Sequence, residues 1–362
     1  MLDSNLIEAF KMVMATFLIG IVTVQAMKKV AHHIGAIDIP RSDEGNRHIH
    51  RRPIPKLGAV GIFLAFLFGY MLFGGHSIKM NAILISSFLI ILTGVIDDIS
   101  DLRARYQLIA QIIAAGIIVF YGKITLNDIT IFSATLNFGM FKEILTIFFI
   151  VACINIINFT DGLDGLSGGV TSIFYITTAI ICFYQGRLGS LEMTLTLLML
   201  GATMGFLVHN FYPARIFAGQ CSMFMGFMIA VICLLGFKGT ALTSLFIPLA
   251  ILGLPILDTL FAIIRRALKG QPIFKADKYH FHHQLLGMNF SHPVTVLIIY
   301  FINILFALTS IFYVLKNSKA AIIMYAILSI IFVWFVCYTN IVTEKKPPKL
   351  NEIKDKVMKK KN

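Results

Sequence analysis

Apolar runs of membrane-crossing length alternate with short polar connections along nearly the whole chain. A bilayer core needs roughly 17 to 25 apolar residues per helix, and shorter runs suffice where flanking residues sit at the interface. Eleven segments meet that test, near 6–27, 57–74, 80–96, 106–121, 143–159, 165–185, 191–210, 222–237, 241–264, 292–315 and 320–339. The pattern predicts an all-α, polytopic integral membrane protein. No repeat of 20–50 residues is visible. The first run has no small-residue cleavage site, so it reads as a retained anchor. A single transmembrane domain is expected over 1–340, followed by a basic tail over 341–362.

Composition agrees: 57% of the 362 residues are hydrophobic and 14% are charged, above the roughly 45 to 50% apolar content of soluble domains. Of the 31 Lys and Arg residues, 23 fall in the loops and tail on one side of the predicted spans, seven fall on the other, and Lys11 lies within the first span. The positive-inside rule then puts the N-terminus outside and the C-terminus in the cytoplasm. The net charge of +13 is read as attraction to anionic membrane lipids, not to nucleic acid. Cys153, Cys182, Cys221, Cys233 and Cys337 have no regular spacing, which points to packing rather than to disulfides or zinc.

Against this background the stretch NIINFTDGLDGLSGG, Asn155 to Gly169, is conspicuous. Asn155 and Asn158 share a helix face, and Asn in a membrane helix is costly unless it binds something. Gly162 and Gly165 permit sharp turns. Asp161 and Asp164 precede the sixth span, where a helix N-terminus favours a carboxylate or an incoming phosphate. The adjacent carboxylates of GVIDDISDL, Asp97 and Asp98, need a cation or basic partners. Arg103 and Arg105 would make an ordinary ion-pair cluster; the other reading is Mg2+, which takes one or two carboxylates and leaves its remaining positions to water and phosphate oxygens.

Two further polar elements fall on the same predicted side. The loop KGQPIFKADKYHFHHQLL holds His280, His282 and His283 with Lys275 and Lys278, a setting that suits an anion better than a metal. The segment GNRHIHRRPIPKLG carries Arg47, His48, His50 and Lys56 beside rigid prolines. Acids for a metal and basic groups for phosphate at one membrane face suit a reaction between a soluble phosphate donor and a lipid phosphate.

The pieces RHIHRRPIPKLGA, GVIDDISDL, NIINFTDGLDGL, NFYPARIFAG, LPILDTLFAIIRR and DKYHFHH, taken in order, resemble the polyprenyl-phosphate N-acetylhexosamine-1-phosphate transferases, the membrane glycosyltransferase group that includes WecA, TagO and MraY. The H-x-H-H form looks more like WecA and TagO. The resemblance implies transfer of N-acetylhexosamine-1-phosphate, with N-acetylglucosamine the expected sugar, from a UDP-sugar to undecaprenyl phosphate in the bacterial plasma membrane. UMP is released, and a cell-envelope polysaccharide or teichoic acid is begun. It further implies dependence on Mg2+, with Mn2+ as a substitute, a cytoplasmic active site, and room for a homodimer. Asp97 and Asp98 would be catalytic and would hold the metal. Asn155, Asn158, Asp161, Asp164 and Asn210 would shape the nucleotide-sugar pocket, and Arg47, His48, His50, Lys56, His280, His282 and His283 would contact phosphate.

The chain departs from that pattern at the motif G-D-x-G-S. Gly219 to Phe227 reads GQCSMFMGF, with Gln220 in place of the Asp and one residue fewer before Ser222. Gln220 is accordingly a third metal ligand without charge. His48, Gln107 and Gln284 likewise stand where the family commonly has a permanent positive charge. A catalytically degenerate homologue that binds lipid phosphate or a partner is therefore the alternative expectation. A transporter is the third, disfavoured because transport sites lie near the bilayer midplane.

Overall fold

The computed structural model describes residues 2–39, 52–126, 128–131, 134–236, 251–268, 270, 280–315 and 318–338. Arg47, His48 and His50, the lysines of the histidine loop and the tail over 341–362 lie outside them. The chain divides into two compact units, Met1–Leu249 and Ala250–Asn362.

The first unit contains helices α1 (Leu2–Ile34), α2 (Gly58–Phe73), α3 (Ile78–Ser100), α4 (Ala104–Gly116, continued as a π-helical turn to Tyr121), α5 (Lys142–Thr160), α6 (Leu166–Tyr184), α7 (Leu191–Asn210) and α8 (Met223–Gly236). Their ends follow local chemistry. The Ser77 hydroxyl accepts from Met80 N–H to start α3, and Ser190 does the same for Met193 at the start of α7. Helix α3 stops at Asp101, whose φ of 45° is left-handed.

All of α8 is buried, and α2, α3, α5, α6 and α7 pack against it. Phe63 of α2 meets Phe224 edge-on, with ring centroids 5.5 Å apart. Helices α1 and α2 are tied by the Thr23 hydroxyl, which donates to the Gly61 carbonyl at 2.8 Å. Close packing and such interhelical hydrogen bonds hold helices together where lipid removes the hydrophobic drive.

The sixth and seventh helices are joined by a charged clasp. Arg187 pairs with Glu192, which is 5% exposed, and donates to the Gly236 carbonyl at the end of α8. Removing one partner of a buried pair strands the other charge, at a cost of about 3 to 5 kcal/mol. Arg187→Ala should therefore lower the melting temperature in detergent clearly, while Arg187→Lys keeps part of the stability. Equal melting temperatures for all three proteins would show the clasp to be dispensable.

The second unit consists of α9 (Gly253–Leu268), α10 (Phe281–Gly287), α11 (His292–Val314) and α12 (Ser318–Tyr338). Phe281 packs against Phe332 and Phe335, with centroids 5.1 and 5.3 Å away, so α10 is seated on α12.

The all-α, multi-pass architecture expected from the hydrophobic pattern is present. Among the described residues eight helices are long and apolar enough to cross a membrane, and two shorter apolar helices, Gly58–Phe73 and Gln220–Gly236, accompany them. The expected ninth span over 241–264 falls partly outside the described residues; the helix in its described part begins at Gly253. Two departures concern elements the apolar runs did not signal. Helix α1 extends past its apolar stretch to Ile34, and a small antiparallel hairpin, Asp128–Ile131 with Ala134–Asn137, sits between α4 and α5. Cys153, Cys182, Cys221 and Cys233 are buried and form no disulfide.

Candidate active site

The site in the first unit is built where the end of α3 meets the start of α8. Asp97 and Asp98 occupy the last turn of α3, only 6% and 8% exposed. One Asp97 oxygen, Oδ1, accepts from Leu102 N–H at 2.5 Å, so the acid also shapes the turn that leaves the helix. Both Asp98 oxygens face the Gln220 N–H, at 3.2 and 3.1 Å.

Two glycines make this approach possible. A Cβ on Gly94 would lie 2.8 Å from Cys221 N and 2.9 Å from Cys221 Sγ, so only glycine lets the Gln220–Ser222 turn rest on α3. Gly219 has φ 72° and ψ −167°, a region essentially reserved for glycine. A Cβ there would collide with Asp98 Oδ2 and the Lys56 carbonyl oxygen.

Lys56 arrives on a paired segment. Phe217 N–H donates to the Pro55 carbonyl at 2.8 Å, and Gly58 and Ala59 donate to the Phe217 and Ala218 carbonyls at 2.8 and 3.3 Å. Residues 55–59 and 217–218, from two of the sequence motifs, are thus zipped together beside Asp98. Lys56 also lies 3.8 Å from Asp38.

The carboxamides of α5 point two ways. Asn158 accepts from the Ser222 hydroxyl at 2.8 Å and donates to Gln220 Oε1 at 3.4 Å, which joins it to the acidic crevice. Asn155 instead donates to Gln111 Oε1 at 2.7 Å and to the Val151 carbonyl, tying α5 to α4. Their shared face follows from the spacing, but their partners do not.

Beyond α5 the turn is fixed from both sides. Asp161 accepts from the Ser167 hydroxyl at 2.5 Å, and Asp164 accepts from Ala214 N–H at 2.9 Å. Buried Asn210 accepts from Gly165 N–H and donates to the Ile216 carbonyl, each at 2.9 Å, so it braces the Asp164 turn against the segment that leads to Gln220. Asp161 titrates high, pushed up to about 6 mainly by desolvation in the crowded turn and also by Asp164, with Ser167 opposing. Its folded-state pKa exceeds the ordinary carboxylate value. Between roughly pH 4 and 6 the folded chain keeps a proton that the unfolded chain has released. Asp161 therefore contributes stability that is full below about pH 4 and is lost as pH rises through about 6. Asp161→Asn should flatten that part of the stability profile; an unchanged slope would place the titration elsewhere.

Charge in the crevice is unbalanced. Asp97 and Asp161 both repel Asp98, Asp101 repels Asp97, and among the described residues Lys56 is the cation that offsets them. Hard carboxylate oxygens suit Mg2+, which prefers few protein ligands. No group of three or more His, Cys, Asp or Glu side chains among the described residues is arranged to cage an ion. Two carboxylates can serve such an ion only where water and a phosphate-bearing substrate fill its other positions.

The sequence pattern of glycosyl transferase family 4 matches residues 80–237, which run from α3 through the crevice to the end of α8. Over 354 residues the chain is 36% identical to the probable undecaprenyl-phosphate N-acetylglucosaminyl 1-phosphate transferase of Bacillus subtilis (strain 168), covering 96% of this chain and 97% of that protein. The chain belongs to glycosyl transferase family 4. Similarity extends to the decaprenyl-phosphate N-acetylglucosaminephosphotransferase of Mycobacterium tuberculosis (strain ATCC 25618 / H37Rv), 31% identical over 76% of this chain and 74% of that protein. The undecaprenyl-phosphate alpha-N-acetylglucosaminyl 1-phosphate transferase of Escherichia coli (strain K12) is 24% identical, over 79% of each chain. The resemblance read from the motifs is thereby borne out at the level of the family.

The histidine motif HFHH, His280 to His283, lies in the second unit. His280 and His282 are buried, at 7% and 4% exposure. The His280 and His282 rings are parallel with centroids 5.8 Å apart, and His283 stands 4.2 Å from His282. Burial, together with His283, His280 and His292, holds His282 well below the usual histidine range, so it is neutral at physiological pH. Residues that the motif reading did not assign are Ser222, Ser167 and Asp258. The two serines gave no signal of their own, because their roles depend on partners 64 and 6 residues away. Asp258 lies within LPILDTLFAIIRR, where the sequence by itself offers one more acid and no partner.

Proposed function

We propose that the protein transfers N-acetylglucosamine-1-phosphate from UDP-N-acetylglucosamine to undecaprenyl phosphate at the cytoplasmic face of a bacterial plasma membrane, with the N-terminus outside. The observation that carries this reading is the buried Asp97–Asp98 pair, held against the Gln220 turn in a chain related over nearly its full length to a probable transferase of that kind.

In the reaction an oxygen of the lipid phosphate attacks the sugar-linked phosphorus of the nucleotide sugar. The bridging P–O bond breaks, a new diphosphate bond forms, and UMP carries off the electron pair. A phosphate monoester is largely dianionic at neutral pH, so the nucleophile needs little help from a base. Positioning and charge neutralisation are the main demands. Asp97 and Asp98, with Gln220 Oε1, would hold Mg2+, which when bound neutralises phosphate charge. Lys56 adds fixed positive charge beside the acids, and Arg47, His48, His50, His280 and His283 are assigned to substrate phosphates. Asn158, Asp161, Asp164 and Asn210 line or brace the nucleotide-sugar side. Asn155 supports that side through Gln111.

Gln220 is compatible with this chemistry. Its backbone N–H steadies Asp98, and its carboxamide is oriented by Asn158. The relatives lend the degenerate-homologue reading no support over the transferase.

The test uses purified protein in detergent with UDP-N-acetylglucosamine labelled at the sugar-linked phosphorus, and undecaprenyl phosphate. Label in the lipid fraction with an equal amount of UMP is the expected result. Free sugar-1-phosphate with no labelled lipid would mean hydrolysis, and no reaction would return the degenerate reading.

A further inference from the structure

Asp258 on α9 brings both carboxylate oxygens to one peptide of the histidine motif. Oδ2 lies 3.0 Å from His280 Nδ1, and Oδ1 accepts from Phe281 N–H at 2.8 Å. A single side chain therefore fixes the imidazole and the peptide plane that follows it. The Phe281 ring, packed on Phe332 and Phe335, immobilises the same peptide from its other end. The pair is shielded from water, with side-chain exposures of 8% for His280 and 18% for Asp258.

A carboxylate at Nδ1 selects the tautomer with hydrogen on that atom and supports the imidazolium. His282, parallel to His280, has no hydrogen-bond partner for its buried Nε2 among the described residues, and its surroundings favour the neutral form. Of these two rings, His280 is the one built to carry charge.

Resting on the transferase reading, we propose that Asp258 is a positioning residue: it accepts the Nδ1 hydrogen of His280 and supports the imidazolium that meets a substrate phosphate. Its contribution runs through His280. A helix-capping role alone would leave the imidazole tautomer and the kinetic coupling of the two residues untouched.

The full chain in nanodiscs, with nitrogen-15 in its histidines, gives the direct readout. His280→Gln identifies the His280 resonances, and the wild type should show His280 hydrogen on Nδ1. Asp258→Asn should leave that ring neutral, with its one hydrogen shifted toward Nε2. In UMP release Asp258→Asn should lower kcat/KM by about 10- to 100-fold, the range typical for losing a group that orients a functional imidazole. Asp258→Glu should recover part of it and also serves if the Asn variant folds poorly. On a His280→Gln background Asp258→Asn should cost nothing more. An unchanged tautomer in Asp258→Asn, or losses that multiply in the double variant, would overturn the proposal. A wild type with the expected tautomer and no UMP release would instead remove the transferase reading, and the positioning role with it.

Discussion

Asp98→Asn should reduce UMP release by about a hundred- to a thousandfold, the scale of removing one preorganised charge-stabilising group from a phosphoryl-transfer site. The substitution preserves shape and keeps an oxygen facing the Gln220 N–H, so the fold should survive. What disappears is one of two adjacent buried charges at the end of α3. The loss should appear in kcat, because the carboxylate is assigned to charge that is handled during transfer. Asp97→Asn should also be damaging, with an added structural component from the Leu102 N–H it supports. Steady-state rates alongside melting temperatures separate the two effects. Near-normal kcat in Asp98→Asn would remove the acidic pair from the mechanism.

Gly219→Ala should be nearly as severe by a different route. The residue combines a backbone conformation essentially restricted to glycine with direct approach to Asp98 and the Lys56 carbonyl. Strain of this kind costs about 1 to 3 kcal/mol before any collision is counted. Relief requires the turn to move away from Asp98, which breaks the Gln220 N–H contact and shifts Lys56. The expected result is a chain that still inserts and melts cooperatively at a lower temperature but releases UMP at least tenfold more slowly. Gly75→Ala is the internal control, since a Cβ there meets nothing within 4 Å. Equal activity for the two alanine variants would show that the tight packing around Gly219 has no catalytic consequence.

Much of this arrangement was legible in the sequence because membrane helices declare themselves by length and apolarity, and polar residues at their ends have few inexpensive explanations. That argument singled out Asp97, Asp98, Asn158, Asp161 and Asp164 and placed them at helix ends. It did not separate the two carboxamides of α5. Asn155 and Asn158 share a face, yet one is taken by Gln111 and the other by Ser222 and Gln220. Their partners lie 44 to 64 residues away, and only the packing of α4, α5 and α8 decides which meets which. Gly94 and Gly219 were silent for the same reason: a missing side chain matters only against the surface it admits. The pairing of residues 55–59 with 217–218 was equally hidden, since one stretch reads alone as the entry to a span and the other as a loop. Gln220 was noticed as a departure from the family pattern, whereas its hold on Asp98 runs through the backbone and owes nothing to its side chain.

That last point sets the measurement that tests the account most directly: UMP release by the native chain with UDP-N-acetylglucosamine and undecaprenyl phosphate, over a range of Mg2+ concentrations and with a chelator, beside Gln220→Asp. The account predicts release that stops with the chelator, and half-saturation at lower Mg2+ in the variant because a charged ligand replaces a neutral one. Release indifferent to the chelator, or activity in Gln220→Asp alone, would contradict the claim that Asp97 and Asp98 form a working site in this chain.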